Sequence, residues 1–76
     1  MSKLVCGFDV DTRCAIGGDE RAPVMWLEQL SRDHVESVRC AVAGNKSTPD
    51  QVLLALSRDP SPLVRGCVAG NRQSQK

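Results

Sequence analysis

One stretch of this chain recurs 26 positions later. Residues 33–45 read DHVESVRCAVAGN and residues 59–71 read DPSPLVRGCVAGN. The match reaches upstream, where LSRD at residues 30–33 returns at 56–59. A degraded third copy, TRCAIGGD at residues 12–19, aligns with VRCAVAGN from Val38. Self-similarity at a fixed period of tens of residues marks a stacked repeat architecture, because one such unit cannot bury its apolar face alone. The chain reads as one helical-repeat domain over residues 1–76. It has an N-terminal segment and half-repeat (1–22), a first repeat (23–48), and a second repeat with a short tail (49–76).

Within a repeat, cap and core chemistry place the helices. In TPDQVLLALSRD, residues 48–59, Thr48 is a candidate N-cap. Pro49 suits the first helical position and Asp50 the positive end of the helix dipole. Val52, Leu53 and Leu56 follow at helical spacing, and Pro60 stands beyond the end. A second helix is expected over 61–70, with Val64, Cys67 and Val68 as its stripe and Gly70–Asn71 as a left-handed stop. The preceding copy predicts helices over 23–32 (Trp26, Leu27 and Leu30 inward) and 35–43 (Val38, Ala41 and Val42 inward), stopped at Gly44–Asn45. The leading half-repeat predicts one more, over 9–16, with Ala15 and Ile16 inward and Gly17–Gly18 ending it. The fold class is therefore all-α, a short α-solenoid of about five helices. Helices this short need neighbours to be stable.

At this level of detail the unit VRCAVAGNKSTPDQVLLALSRD resembles the leucine-rich repeat variant family of bacterial α-solenoids, which is distantly HEAT-like. The shared pattern is VR-x-x-VA-x-N, then T-P, then L-x-x-L-x-x-D, and it covers about residues 12–71. The resemblance implies a right-handed superhelix of two layers and a role in binding macromolecules rather than in catalysis. It leaves open whether the second helix of each repeat is α or 3₁₀. Some members carry an iron–sulfur cluster on a Cys-rich N-terminal module. Here only Cys6 and Cys14 lie near the N-terminus, so no cofactor is expected.

Composition narrows the chemistry. The formal net charge is +1, which argues against a general polyanion binder. Residues 1–38 carry seven acids and four bases, a net of −3, and residues 39–76 two acids and six bases, a net of +4. Such asymmetry can orient a partner or a second copy of the chain. No apolar run is long enough to span a bilayer, the N-terminus lacks a signal-peptide core, and a cytoplasmic location is expected. Neither disulfides nor a metal is expected, since equivalent repeat positions lie about 8–10 Å apart and no C-x-x-C occurs. Cys14, Cys40 and Gly66 share one repeat position, which reads as a steric limit between stacked helices. His34 reads as a solvated helix-start residue, and no catalytic constellation is evident, so the chain is not expected to be an enzyme.

Two sets of residues stand out. Arg13, Arg39 and Arg65 share a repeat position, and Asp33 and Asp59 precede the last two by six residues, which suggests a structural ladder of carboxylates and guanidiniums. Val24, Met25 and Leu54 are apolar where their repeat equivalents Asp50, Gln51 and Glu28 are polar. Either the N-terminal residues Leu4, Val5 and Phe8 cover them or another protein does. At the C-terminal end no helix is expected to cover Leu63 or Val64. The expected function is a non-enzymatic protein-interaction module, an adaptor or a small bacterial or phage-encoded inhibitor, that binds a protein partner or forms a homodimer through Val24, Met25, Leu54 and Leu63. The alternative is a nucleic-acid-binding solenoid that uses Arg39, Lys46, Arg58, Arg65, Arg72 and Lys76. No small-molecule substrate and no membrane partner is indicated.

Overall fold

A computed structural model describes residues 7–73, and the side chains of residues 7–71. It contains five α-helices: α1 (Val10–Gly17), α2 (Val24–Leu30), α3 (Glu36–Ala43), α4 (Asp50–Leu56) and α5 (Pro62–Gln73). No strand occurs among the described residues, and the second helix of each repeat, α3 or α5, is α rather than 3₁₀. The architecture is all-α, as the repeat pattern requires.

The helices form two layers. The second helices pack side by side, α1 on α3 and α3 on α5, while α2 and α4 cover them from the other side. Leu27 and Leu30 of α2, Val38, Val42 and Ala43 of α3, Val52, Leu53 and Leu56 of α4, and Val64 and Val68 of α5 make one continuous core. Its largest members are aliphatic and sit at the positions the repeat marks as inward. A fully buried Val or Leu contributes roughly 1.5–3 kcal/mol, and here that contribution depends on the neighbouring pair being folded.

Several local expectations are corrected. Ala15 is exposed, and α1 buries Arg13 and Gly17 instead. Val64 is fully buried, as part of the core that α5 shares with α3 and α4. The helix stops are right-handed. Gly18 and Gly44 have φ of −92° and −89°, and no described glycine has a positive φ. At the second stop, the Gly44 N–H reaches back to the Cys40 carbonyl and the Asn45 N–H donates to Val42, which closes the helix with a tight right-handed turn. At Gly70–Asn71 the helix does not stop, and α5 runs on to Gln73.

Thr48 is not an N-cap. Pro49 takes that position without a side-chain bond, and the Thr48 hydroxyl donates to the Val42 carbonyl at 2.7 Å. The hydroxyl thus gives the Val42 carbonyl, which already accepts the Asn45 N–H, a second donor at the end of α3. The close approach between second helices also lies elsewhere than expected. A Cβ on Gly66 would meet nothing within 4 Å, whereas one on Gly17 would lie 3.1 Å from a Val42 methyl and 3.3 Å from the Ala41 Cβ.

Candidate functional site

The arginines and aspartates of the repeat meet across the helix pairs. Arg13 Nε lies 2.7 Å from Asp33 Oδ2, and Arg39 Nε 2.8 Å from Asp59 Oδ2. Each arginine thus reaches the aspartate of the following unit. Each also holds a carbonyl at the start of its own helix, Arg13 that of Phe8 and Arg39 that of Asp33. The aspartates are buried, and their second oxygen completes a turn: Asp33 Oδ1 accepts the Val35 N–H, and Asp59 Oδ1 that of Ser61. Burial pushes the Asp59 carboxyl up, but the Ser61 N–H and the Arg39 guanidinium outweigh it and hold the group below the usual carboxylate range. Arg65 makes the equivalent carbonyl bond, to Asp59 O at 2.7 Å, but no described carboxylate pairs with it.

A second set of rungs was not anticipated as such. The Asn45 amide donates to the carbonyls of Gly17 and Asp19 at 2.7 and 2.8 Å. The Asn71 amide donates to those of Ala43 and Asn45 at 2.8 and 2.9 Å. Both asparagines are buried. Their signal was present, since each closes a copy of VAGN, but turn preference masked it. A further cross-link joins the Ser61 hydroxyl to the Glu36 carboxylate.

These bonds occupy the repeat's polar side chains structurally. Arg39, one of the candidate nucleic-acid contacts, is committed to Asp59, while Lys46 and Arg58 are exposed. The side chains of Arg72 and Lys76 fall outside the described residues, as do Cys6, Leu4 and Val5. His34 is solvent-exposed beside Asp33. No group of three or more potential metal ligands occurs among the described residues.

Among the described residues, Cys14, Cys40 and Cys67 are free thiols, half-buried against the core. Cys14 lies 3.6 Å from the Ser37 hydroxyl. Burial, then the neighbouring Cys67 thiol, pushes Cys40 up to about 11. Cys40 and Cys67 occupy non-equivalent repeat positions, so the register argument that separates equivalent cysteines does not separate these two.

Apolar side chains remain on the surface. Val24 is 49% exposed, Met25 66%, Leu54 53% and Leu63 63%. The Phe8 ring lies 6.2 Å from that of Trp26 in a tilted contact and does not bury Val24 or Met25. Between α2 and α4 runs a shallow groove of about 270 Å³, lined by Glu28, Arg32, Gln51 and Ala55 among others. No described helix is long and apolar enough to cross a membrane.

No curated protein and no solved structure matches the chain. The family model described as Leucine rich repeat variant matches residues 37–61. That span runs from α3 through α4 to the turn before α5, and includes Arg39, Asn45 and Asp59. The geometry and the match agree: residues 37–61 are similar to a leucine rich repeat variant unit, and they fold as part of a helical repeat.

Proposed function

We propose that this chain is a non-enzymatic protein-interaction module that uses its exposed apolar side chains to hold a protein partner or a second copy of itself. The observation that carries the reading is the exposure of Val24, Met25 and Leu54 on the α2 and α4 layer. The repeat places polar residues at the equivalent positions, so the fold does not need these apolar groups. Exposed apolar surface on a small domain marks interaction sites. Arg13, Asp33, Arg39 and Asp59, by contrast, are drawn into helix-to-helix bonds.

The test compares the protein with a Met25→Glu/Leu54→Glu variant. Both sites are exposed, so circular dichroism and thermal midpoint should stay near those of the parent. Capture of host proteins on the immobilised chain, read by mass spectrometry, should lose its specific partner with the variant. If the partner is a second copy, sedimentation at tens of micromolar should show a doubled mass that the variant lacks. Identical capture and mass by parent and variant would refute this surface. Binding to random duplex that weakens steeply with salt would instead select the nucleic-acid reading.

A further inference from the structure

The repeat position of Cys40 looks across a junction to the next second helix. Its equivalent one copy earlier, Cys14 on α1, lies 3.6 Å from the Ser37 hydroxyl of α3. The repeat position of Cys67 looks the other way. Its equivalent, Ala41 on α3, meets α1 closely, since a Cβ on Gly17 would lie 3.3 Å from the Ala41 Cβ. Helices α3 and α5 pack side by side as α1 and α3 do. Cys40 and Cys67 therefore face one another across the second junction, and both are half-buried against the same core. The Cys67 thiol is close enough to add to the effect of burial in pushing the Cys40 thiol up.

The first junction holds no such pair among the described residues. There Cys14 meets Ser37, and Ala41 stands where the later copy has Cys67. Alanine also fills that position in the leading half-repeat, at Ala15. The fold accepts a methyl at this place twice, so packing does not call for sulfur at Cys67.

We propose that Cys40 and Cys67 form a dithiol site that a small disulfide oxidant closes into a cross-link between α3 and α5. In the first step one thiol loses its proton and attacks the oxidant RSSR. A mixed disulfide forms and RS⁻ leaves. The second thiol, deprotonated in turn, attacks the protein sulfur of that mixed disulfide and expels the other RS⁻. The two leaving thiolates take up the two protons, so both cysteine sulfurs are oxidised and the oxidant is reduced to two RSH. The attacking form is the thiolate. With Cys40 raised to about 11, by burial, Cys67 and Glu36 and against the pull of Arg39, closure is slow at neutral pH. The bridge closes a loop that contains the whole of α4, and a bridge of this kind removes freedom mainly from the unfolded chain. It acts within one chain and goes beyond the interaction reading.

The experiment treats the full chain with oxidised glutathione at about pH 8.5, the ordinary thiol value, blocks the remaining thiols and digests with trypsin. Arginines 13, 39 and 65 put the four cysteines on separate peptides. Peptide 40–46 joined to peptide 66–72 should be the main cross-linked species, and the product should keep the mass of one chain. Its urea midpoint should stand about 1–3 M above that of the reduced chain, and dithiothreitol should reverse the shift. Cys67→Ala, which restores the residue of the other copies and so should fold, should show neither the joined peptide nor the shift. Thiols 40 and 67 left free, separate glutathione adducts on them, or a dominant bridge through Cys6, Cys14 or a second chain overturns the inference. So does a joined peptide with an unmoved or lowered midpoint, since the bridge then belongs to a distorted fold. No partner enters this assay, so its outcome is separable from that of the Met25 and Leu54 surface.

Discussion

Arg39 and Asp59 lie in different repeats, yet the guanidinium Nε and the carboxylate Oδ2 are 2.8 Å apart and both side chains are largely withdrawn from water. Two bonds join them, the second from the Arg39 Nη2 to Asp59 Oδ1 at 3.3 Å. Removing one partner strands the other. Arg39→Ala should therefore cost about 3 kcal/mol, the scale for breaking a buried pair, read as a lowered midpoint in urea. Arg58→Ala, at an exposed site, should change stability by less than about 0.5 kcal/mol.

Acid should loosen the stack. The Asp59 carboxyl has a folded pKa below its unfolded one. Its contribution to stability is then fully present above about pH 4, the unfolded value, and is lost as pH falls through the folded value. Thermal midpoints should drop as pH falls below about 4, and the drop should shrink in Asp59→Asn.

Two glycines should respond in opposite directions. Gly17→Val forces a side chain into the 3.1 Å space before Val42 and should destabilise by roughly 1–3 kcal/mol, as overpacking does. Gly66→Ala adds a Cβ to a helix interior with nothing near it. It should stabilise by up to about 1 kcal/mol, the helix preference of Ala over Gly. Calorimetry on the two variants checks both signs.

The Cys40 thiol, raised to about 11, should remain protonated at neutral pH. Its alkylation should be slow at pH 7.5 and quicken as pH rises toward 11, since the thiolate is the reactive form. Cys67→Ser removes one of the causes and should speed the reaction. Mass spectrometry of peptides after timed labelling reads this directly.

The fold was legible because the repeat exposed it twice. Leu27, Leu30, Val38, Val42, Val52, Leu53 and Leu56 fall where helical spacing puts them, and a 26-residue offset fixes which elements correspond. The arginine and aspartate rungs were legible too, because their repeat positions coincide; what escaped was the part that Thr48 and Asn45 play at the junctions. Thr48 and Asn45 read locally as a cap and a stop, because local propensity describes what a residue does for its own helix. Both act on another one: Thr48 on the end of α3, Asn45 on the end of α1. Ala15 was misjudged for a related reason. It lies on the face of α1 away from α3, and a stripe drawn for an inner repeat does not apply at an end. For the exposed Val24, Met25 and Leu54, comparison of the two copies identified the odd residues, although no single copy would have done so.

The asparagine rungs divide their demands unevenly. The donor must be a side-chain amide at one spacing, but the acceptors are main-chain carbonyls, and every residue type carries one. Asn45 is received by Gly17 and Asp19, and Asn71 by Ala43 and Asn45. A unit that only offers the carbonyls can therefore lack the asparagine without losing this rung, provided its backbone still ends in the same turn. The drift of the first copy, with Asp19 where the later two keep asparagine, is of the kind this permits. The rung thus asks for a particular side chain on one side of a junction only, and on the other side for a backbone shape.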